Sequence, residues 1–136
     1  MLTARRGGLP GAIAMAAAAL FGAAFLSPAT AEPPTPAEAG RKLFIRCVAC
    51  HAVSADAPPR TGPHLAGIVG RKVASLPDFA YSDAMRAQSH IWDETQLDRW
   101  LQQPQAEIPG LCLPFRGFPK PEDRKALIAY LKHPVP

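Results

Sequence analysis

The chain lacks most of what other functional classes require. It has no internal repeat and no alternating apolar–polar segment long enough to propose a sheet, which sets aside solenoids and β architectures. Strand–helix–strand alternation is also missing. Charged residues are sparse, at 19%, and 13 of the 15 Lys/Arg and all 11 Asp/Glu fall in residues 32–136, a net of +2 there. That excludes the dense basic stripe of a nucleic-acid binder. Aromatic residues make up only 7% of the 136 positions. A domain this short with so few large side chains has a thin core unless something else supplies apolar surface. No apolar run reaches the roughly 20 residues of a membrane span, the longest, Ala12 to Leu26, being about 15.

That run has a different meaning. Arg5 and Arg6 precede it, and Pro28 and then Ala29-Thr30-Ala31 follow, the order of a charged region, an apolar region and a small-residue cleavage site. The pattern predicts a signal peptide over residues 1–31, cut after Ala31, and a domain over 32–136. The mature chain is expected to be secreted or periplasmic, with no integral membrane segment.

The chain is organised around Cys47-Val48-Ala49-Cys50-His51. C-x-x-C-H is the attachment signature of a c-type haem. Two thiols three positions apart can each add to one haem vinyl group, and the next residue can bind iron through its imidazole Nε2. A zinc site needs a fourth donor from Cys112, His64, His90 or His133, none of which stands in a second ligand pair. A thioredoxin-like pair needs the βαβ context that is absent. The expected cofactor is one haem c, covalent through Cys47 and Cys50, with His51 as proximal iron ligand. Its buried apolar surface would complete the core, which ties fold to cofactor.

Along the rest of the chain, Glu32–Pro36 reads as an exposed Pro-rich lead. Thr35-Pro36-Ala37-Glu38 opens a helix as a capping box, with Leu43 and Phe44 on its apolar face and Gly40 where another helix can come close. Residues 52–72 hold Pro58-Pro59, Gly62-Pro63, Gly67 and Gly70, so an irregular loop is predicted. Short helices are predicted over 82–88 and about 93–102, the second with Asp93 and Gln96 as cap and return partner and Pro104 preventing continuation. Residues 105–119 read as irregular. A last helix starts at Pro121, carries Glu122 and Asp123 early and Lys132 and His133 late, and stops before Pro134. Leu127, Ile128 and Leu131 form its buried stripe, with Tyr130 at the edge.

These residues together resemble class I cytochrome c, of the mitochondrial or c2 type. The resemblance rests on Gly40, Phe44, Cys47, Cys50 and His51, then Thr61-Gly62-Pro63-His64-Leu65, Gly67, Gly70-Arg71, Tyr81-Ser82-Asp83-Ala84, Trp92, Leu97, Pro104, Pro109-Gly110, Phe115 and Leu127–Leu131. It runs without a gap from His51 to Phe115. It implies an all-α cytochrome c fold, short helices and irregular loops around one haem. It implies that the Pro63 carbonyl accepts the His51 Nδ1–H, and that Gly40 and Phe44 lie where the first and last helices cross. It also implies that Arg71, Tyr81 and Trp92 hydrogen-bond or screen a haem propionate, which would be costly to bury unpaired.

One position departs from the family. Its sixth ligand is a Met three positions after Pro-Gly and two before Phe; here that slot holds Leu113, which cannot bind iron. Cys112, the one thiol not used by the haem, stands beside it. Three readings stay open: a distal thiolate from Cys112, a five-coordinate iron under Leu113, or Cys112 paired with another chain or a redox partner. Trp100 replaces a Tyr that donates to the ligand Met, Leu111 replaces a hydroxyl residue near a propionate, and Met85 replaces an Asn near the distal pocket. These changes make that side drier. His64, His90 and His133 are expected at the surface. The expected activity is single-electron carriage between transient redox-partner proteins, with no enzymatic role; the alternative is a gas-binding or weakly peroxidatic haem protein.

Overall fold

The capping box at the first helix is complete. The computed structural model describes residues 32–136 together with Gly7, so the expected signal peptide and its cleavage point lie outside the described residues. Thr35 Oγ1 accepts the Glu38 N–H at 3.3 Å while Glu38 Oε2 accepts the Thr35 N–H at 2.7 Å. With Pro36 in the first turn, these bonds start α1, Pro36–Leu43. The chain then tightens into a 3-10 turn over Phe44–Arg46 and runs directly into Cys47. Three short helices and one longer one follow: α2 Asp83–Arg86, α3 Glu94–Gln102, α4 Pro104–Glu107 and α5 Pro121–Lys132. The fold is all-α, short helices joined by irregular loops, and among the described residues the only sheet-like pairing is an isolated bridge between Lys72 and Ile91.

α1 crosses α5 at Gly40. A Cβ there would lie 2.0 Å from the Ala126 carbonyl oxygen and 2.8 Å from the Tyr130 Cβ, so no larger residue lets the backbones approach this closely. Phe44 continues the contact, its ring 5.4 Å from that of Tyr130. The α5 stripe is wider than its apolar pattern predicts. Leu127, Ile128, Tyr130 and Leu131 are buried, and so is Arg124. Its guanidinium pairs with Asp98 of α3 at 2.8 and 3.2 Å and donates to the carbonyls of Phe118 and Pro119, both at 3.0 Å. A buried cation with four of its five N–H donors engaged ties α5 to α3 and to the preceding loop.

Two expectations need correction. Asp93 caps α3 through Gln96 N–H at 2.7 Å, but the return half is absent: Gln96 Oε1 is buried without a partner. Residues 105–107 are not irregular. Pro104 does not merely end α3; its fixed φ starts the single turn α4, closed by Ile108 N–H on Pro104 O at 3.0 Å.

Residues 52–82 contain no helix, which over 52–72 is what the Pro and Gly spacing predicts. The loop is pinned where it returns: Gly70 N–H to Trp92 O, Trp92 N–H to Arg71 O and Val73 N–H to His90 O, at 2.8 to 3.1 Å. These bonds set Arg71 beside Trp92.

Candidate functional site

The C-x-x-C-H residues occupy one continuous turn. Cys50 and His51 N–H groups both bond the Cys47 carbonyl, at 3.0 and 2.9 Å. Neither Cys47 nor Cys50 is in a disulfide, and both are half-buried. Burial pushes the Cys47 thiol up to about 11, which keeps it protonated at neutral pH. Among the described residues no group of three or more His, Cys, Asp or Glu could hold a metal ion, so the zinc alternative has no fourth donor.

His51 is held from the loop. Its Nδ1 lies 2.7 Å from the Pro63 carbonyl oxygen, so the ring is a donor there and Nε2 is left as the coordinating nitrogen. Burial lowers the His51 pKa, partly opposed by the Pro63 bond, and the nearby Arg60 charge lowers it further; the net lowering favours the neutral imidazole that a metal requires. Gly62 makes the ring's position possible. A Cβ there would come within 2.5 Å of His51 Cε1 and 2.8 Å of Nδ1. Arg60 adds a support that sequence reasoning missed, donating to the His51 carbonyl at 3.1 Å and to the Val48 carbonyl. Neither Gly62 nor Arg60 carries a periodic signal, since each acts on a residue 9 to 12 positions away across an irregular loop.

Arg71 is half-buried and donates to the carbonyls of His64 at 2.9 Å and Ala66 at 3.0 Å. Burial lowers its pKa, and the nearby Tyr81 opposes that shift. Tyr81 packs edge-on against Phe79 at 4.8 Å. Trp92 is buried, edge-on to His90 at 4.5 Å and to Trp100 at 5.9 Å. The row continues through Phe115 to Phe118, at 5.9 and 5.5 Å. His64 and His90 are not plain surface residues: each is half-buried, with His64 Nδ1 and His90 Nε2 out of solvent and without a partner. His133 is exposed.

The row ends in the segment from Pro109 to Phe118. Cys112 is exposed, and Leu113 is at the margin of exposure. Cys47, Cys50, His51, Gly62 and Pro63 are brought together, and Arg71, Tyr81 and Trp92 form a second group; the Cys112 thiol stands in solvent. Trp100 Nε1 is buried with no hydrogen-bond partner among the described residues. A dry indole N–H costs about 1–3 kcal/mol, so it favours a partner outside the polypeptide. Two free thiols, an imidazole with a committed Nδ1 and this orphaned donor fit a haem c.

A family model described as cytochrome c matches residues 37–134. Cytochrome c2 of Rhodomicrobium vannielii is 40% identical over 113 residues, covering 83% of this chain and 90% of the relative. Cytochrome c2 of Rhodoblastus acidophilus is 38% identical over 94 residues, covering 69% of this chain and 88% of the relative. The solved cytochrome cH from Methylobacterium extorquens superposes with a TM-score of 0.65 at 37% identity, covering 71% of this chain and 96% of that one. The chain therefore belongs to the cytochrome c family, as a monohaem electron carrier rather than an enzyme, with its haem c joined through Cys47 and Cys50.

Proposed function

We propose that this is a periplasmic or secreted carrier whose iron lacks the methionine ligand of its family and takes its sixth ligand from Cys112 or leaves that position open. The observation that carries this reading is Leu113, standing between Pro109-Gly110 and Phe115 where the family pattern places Met. Met85 is the one methionine among residues 32–136, and its half-buried side chain packs against the apolar core.

The haem, when bound, supplies an iron that alternates between the ferric and ferrous states. The polypeptide does the rest. His51 would hold the iron, with Pro63 fixing its ring and raising its basicity. Arg71, Tyr81 and Trp92 would hydrogen-bond or screen a propionate. Residues 1–31 direct export and are removed, leaving a domain over 32–136. Docking to redox partners is transient and uses the surface near the attachment motif, where Ile45 is 72% exposed beside Arg46. A thiolate stabilises Fe(III) and gives a low potential, whereas loss of the thioether alone removes the feature that raises it.

The second reading, a five-coordinate iron open to a small neutral gas, is favoured by one observation: the Cys112 thiol is in solvent. Carbon monoxide separates the two. With thiolate ligation the ferric protein is low-spin and its spectrum changes in Cys112→Ala; with a vacant site the reduced protein binds CO rapidly and Cys112→Ala changes nothing. A wild-type spectrum of His/Met iron refutes both.

A further inference from the structure

The segment beside the sixth position is held almost entirely by side chains. Among the described residues, positions 112–117 make no backbone–backbone hydrogen bond; the neighbouring ones are Leu111 N–H to Ile108 O at 3.4 Å and Phe118 N–H to Leu101 O at 2.7 Å. Two residues with no part in the ligation reading fill the gap. Gln105 of α4 donates through Nε2 to the Leu113 carbonyl at 2.9 Å and the Phe115 carbonyl at 3.1 Å. A carboxamide nitrogen carries two hydrogens, so both bonds form at once. Arg46, next to Cys47, approaches from the attachment turn. It donates to the Gly117 carbonyl at 3.3 Å, and its guanidinium carbon lies 4.3 Å from the Phe118 ring centroid and 5.4 Å from that of Phe115. A cation over an aromatic face at these distances is attracted by the ring quadrupole. Three alternate carbonyls, of residues 113, 115 and 117, are therefore taken by two side chains from separate elements.

We propose that Gln105 and Arg46 are positioning residues that clamp residues 113–117 closed and so set how fast the iron's sixth position exchanges ligands, an inference that rests on the haem-site reading above. Turning Cys112 inward and admitting an external ligand both require this segment to move. With no backbone ladder to break, the rate of opening is governed by the clamp.

The test uses the haem-loaded ferric protein, with free imidazole as the probe ligand. Amide hydrogen exchange over residues 111–118 and the imidazole binding rate are measured side by side. Gln105→Leu and Arg46→Leu are each expected to raise both about tenfold, the loss of one to two hydrogen bonds, and the double variant about a hundredfold. Arg46→Lys, which keeps a cation over the rings, should restore most of the slow rate. Gln102→Leu, at an exposed neighbour whose side chain makes no hydrogen bond among the described residues, should change neither. Unchanged exchange over 111–118 in the Gln105→Leu and Arg46→Leu variants overturns the clamp. Raised exchange with an unchanged imidazole rate overturns its control of the sixth position. The ligation reading fails on different grounds, a His/Met spectrum in the wild type.

Discussion

Gly62 illustrates how a residue without a side chain can govern a metal ligand. The His51 ring occupies the volume a Cβ would fill, and its Nδ1 is aimed at the neighbouring Pro63 carbonyl. Gly62→Ala forces the ring or the loop aside and lengthens that bond. A less basic imidazole stabilises Fe(III) less, so the reduction potential should rise and the iron–histidine bond weaken, measured by redox titration and resonance Raman spectroscopy. An unchanged potential would mean that the Pro63 bond does not tune the ligand. The attachment motif was legible from sequence because its chemistry is local: thiols and imidazole within five consecutive positions. The roles of Gly62, Arg60, Gln105 and Arg46 were not, because each acts across a loop, and contacts between irregular segments leave no period or spacing that says what they touch.

At the scale of elements, helix ends and the helix crossing were written more plainly. Thr35 and Glu38 marked the start of α1, and the reciprocal bonds form. The bonds from Thr35, followed by the charges of Arg41 and Lys42, hold the Glu38 carboxyl below its ordinary value of 4.5. A carboxylate with a depressed folded pKa stabilises fully above its unfolded value and loses that contribution as pH falls through the folded one. Glu38→Gln keeps the acceptor and removes the charge. Its thermal midpoint should therefore lie below wild type at pH 7, and the difference should vanish well below pH 4.5; a gap that persists in acid would locate the effect elsewhere. Thr35→Ala should cost about 1 kcal/mol, read by chemical denaturation. Gly40→Ala is a harsher change, since its Cβ would meet the Ala126 carbonyl oxygen at 2.0 Å and backbone cannot swing aside. Overpacking of this kind costs typically about 1–3 kcal/mol, and the haem-loaded variant should unfold at correspondingly lower denaturant. What sequence misjudged among the elements was α4 and the Gln96 return bond. One-turn helices and single side-chain bonds depend on tertiary placement more than on local propensity.

For the whole molecule, the question is what holds a chain of this length together. Among the described residues the helices run to 8, 4, 9, 4 and 12 residues, at or below the roughly 12–15 at which an isolated helix is marginal in water. Packing of α5 against α1 and α3 supplies one cluster, through Leu127, Tyr130, Phe44 and Leu97. The long irregular stretch over 52–82 has only a few backbone bonds and must close around something to be worth ordering, because each fixed residue costs about 1–2 kcal/mol in backbone entropy. A covalent haem binds the folded form at high effective concentration, and anything that binds only the folded form stabilises it by mass action. Cys47→Ser/Cys50→Ser, purified without haem, should therefore lose most of its far-ultraviolet helix signal and show no cooperative thermal transition at neutral pH. The loaded wild type should melt in one step. Residual structure in the unloaded variant should concentrate in α1 and α5, whose crossing at Gly40 needs no cofactor, and hydrogen exchange would locate it there. Cooperative melting of the unloaded protein with native helix content would show instead that twelve buried apolar side chains suffice, and that the haem is a passenger in a fold able to stand alone.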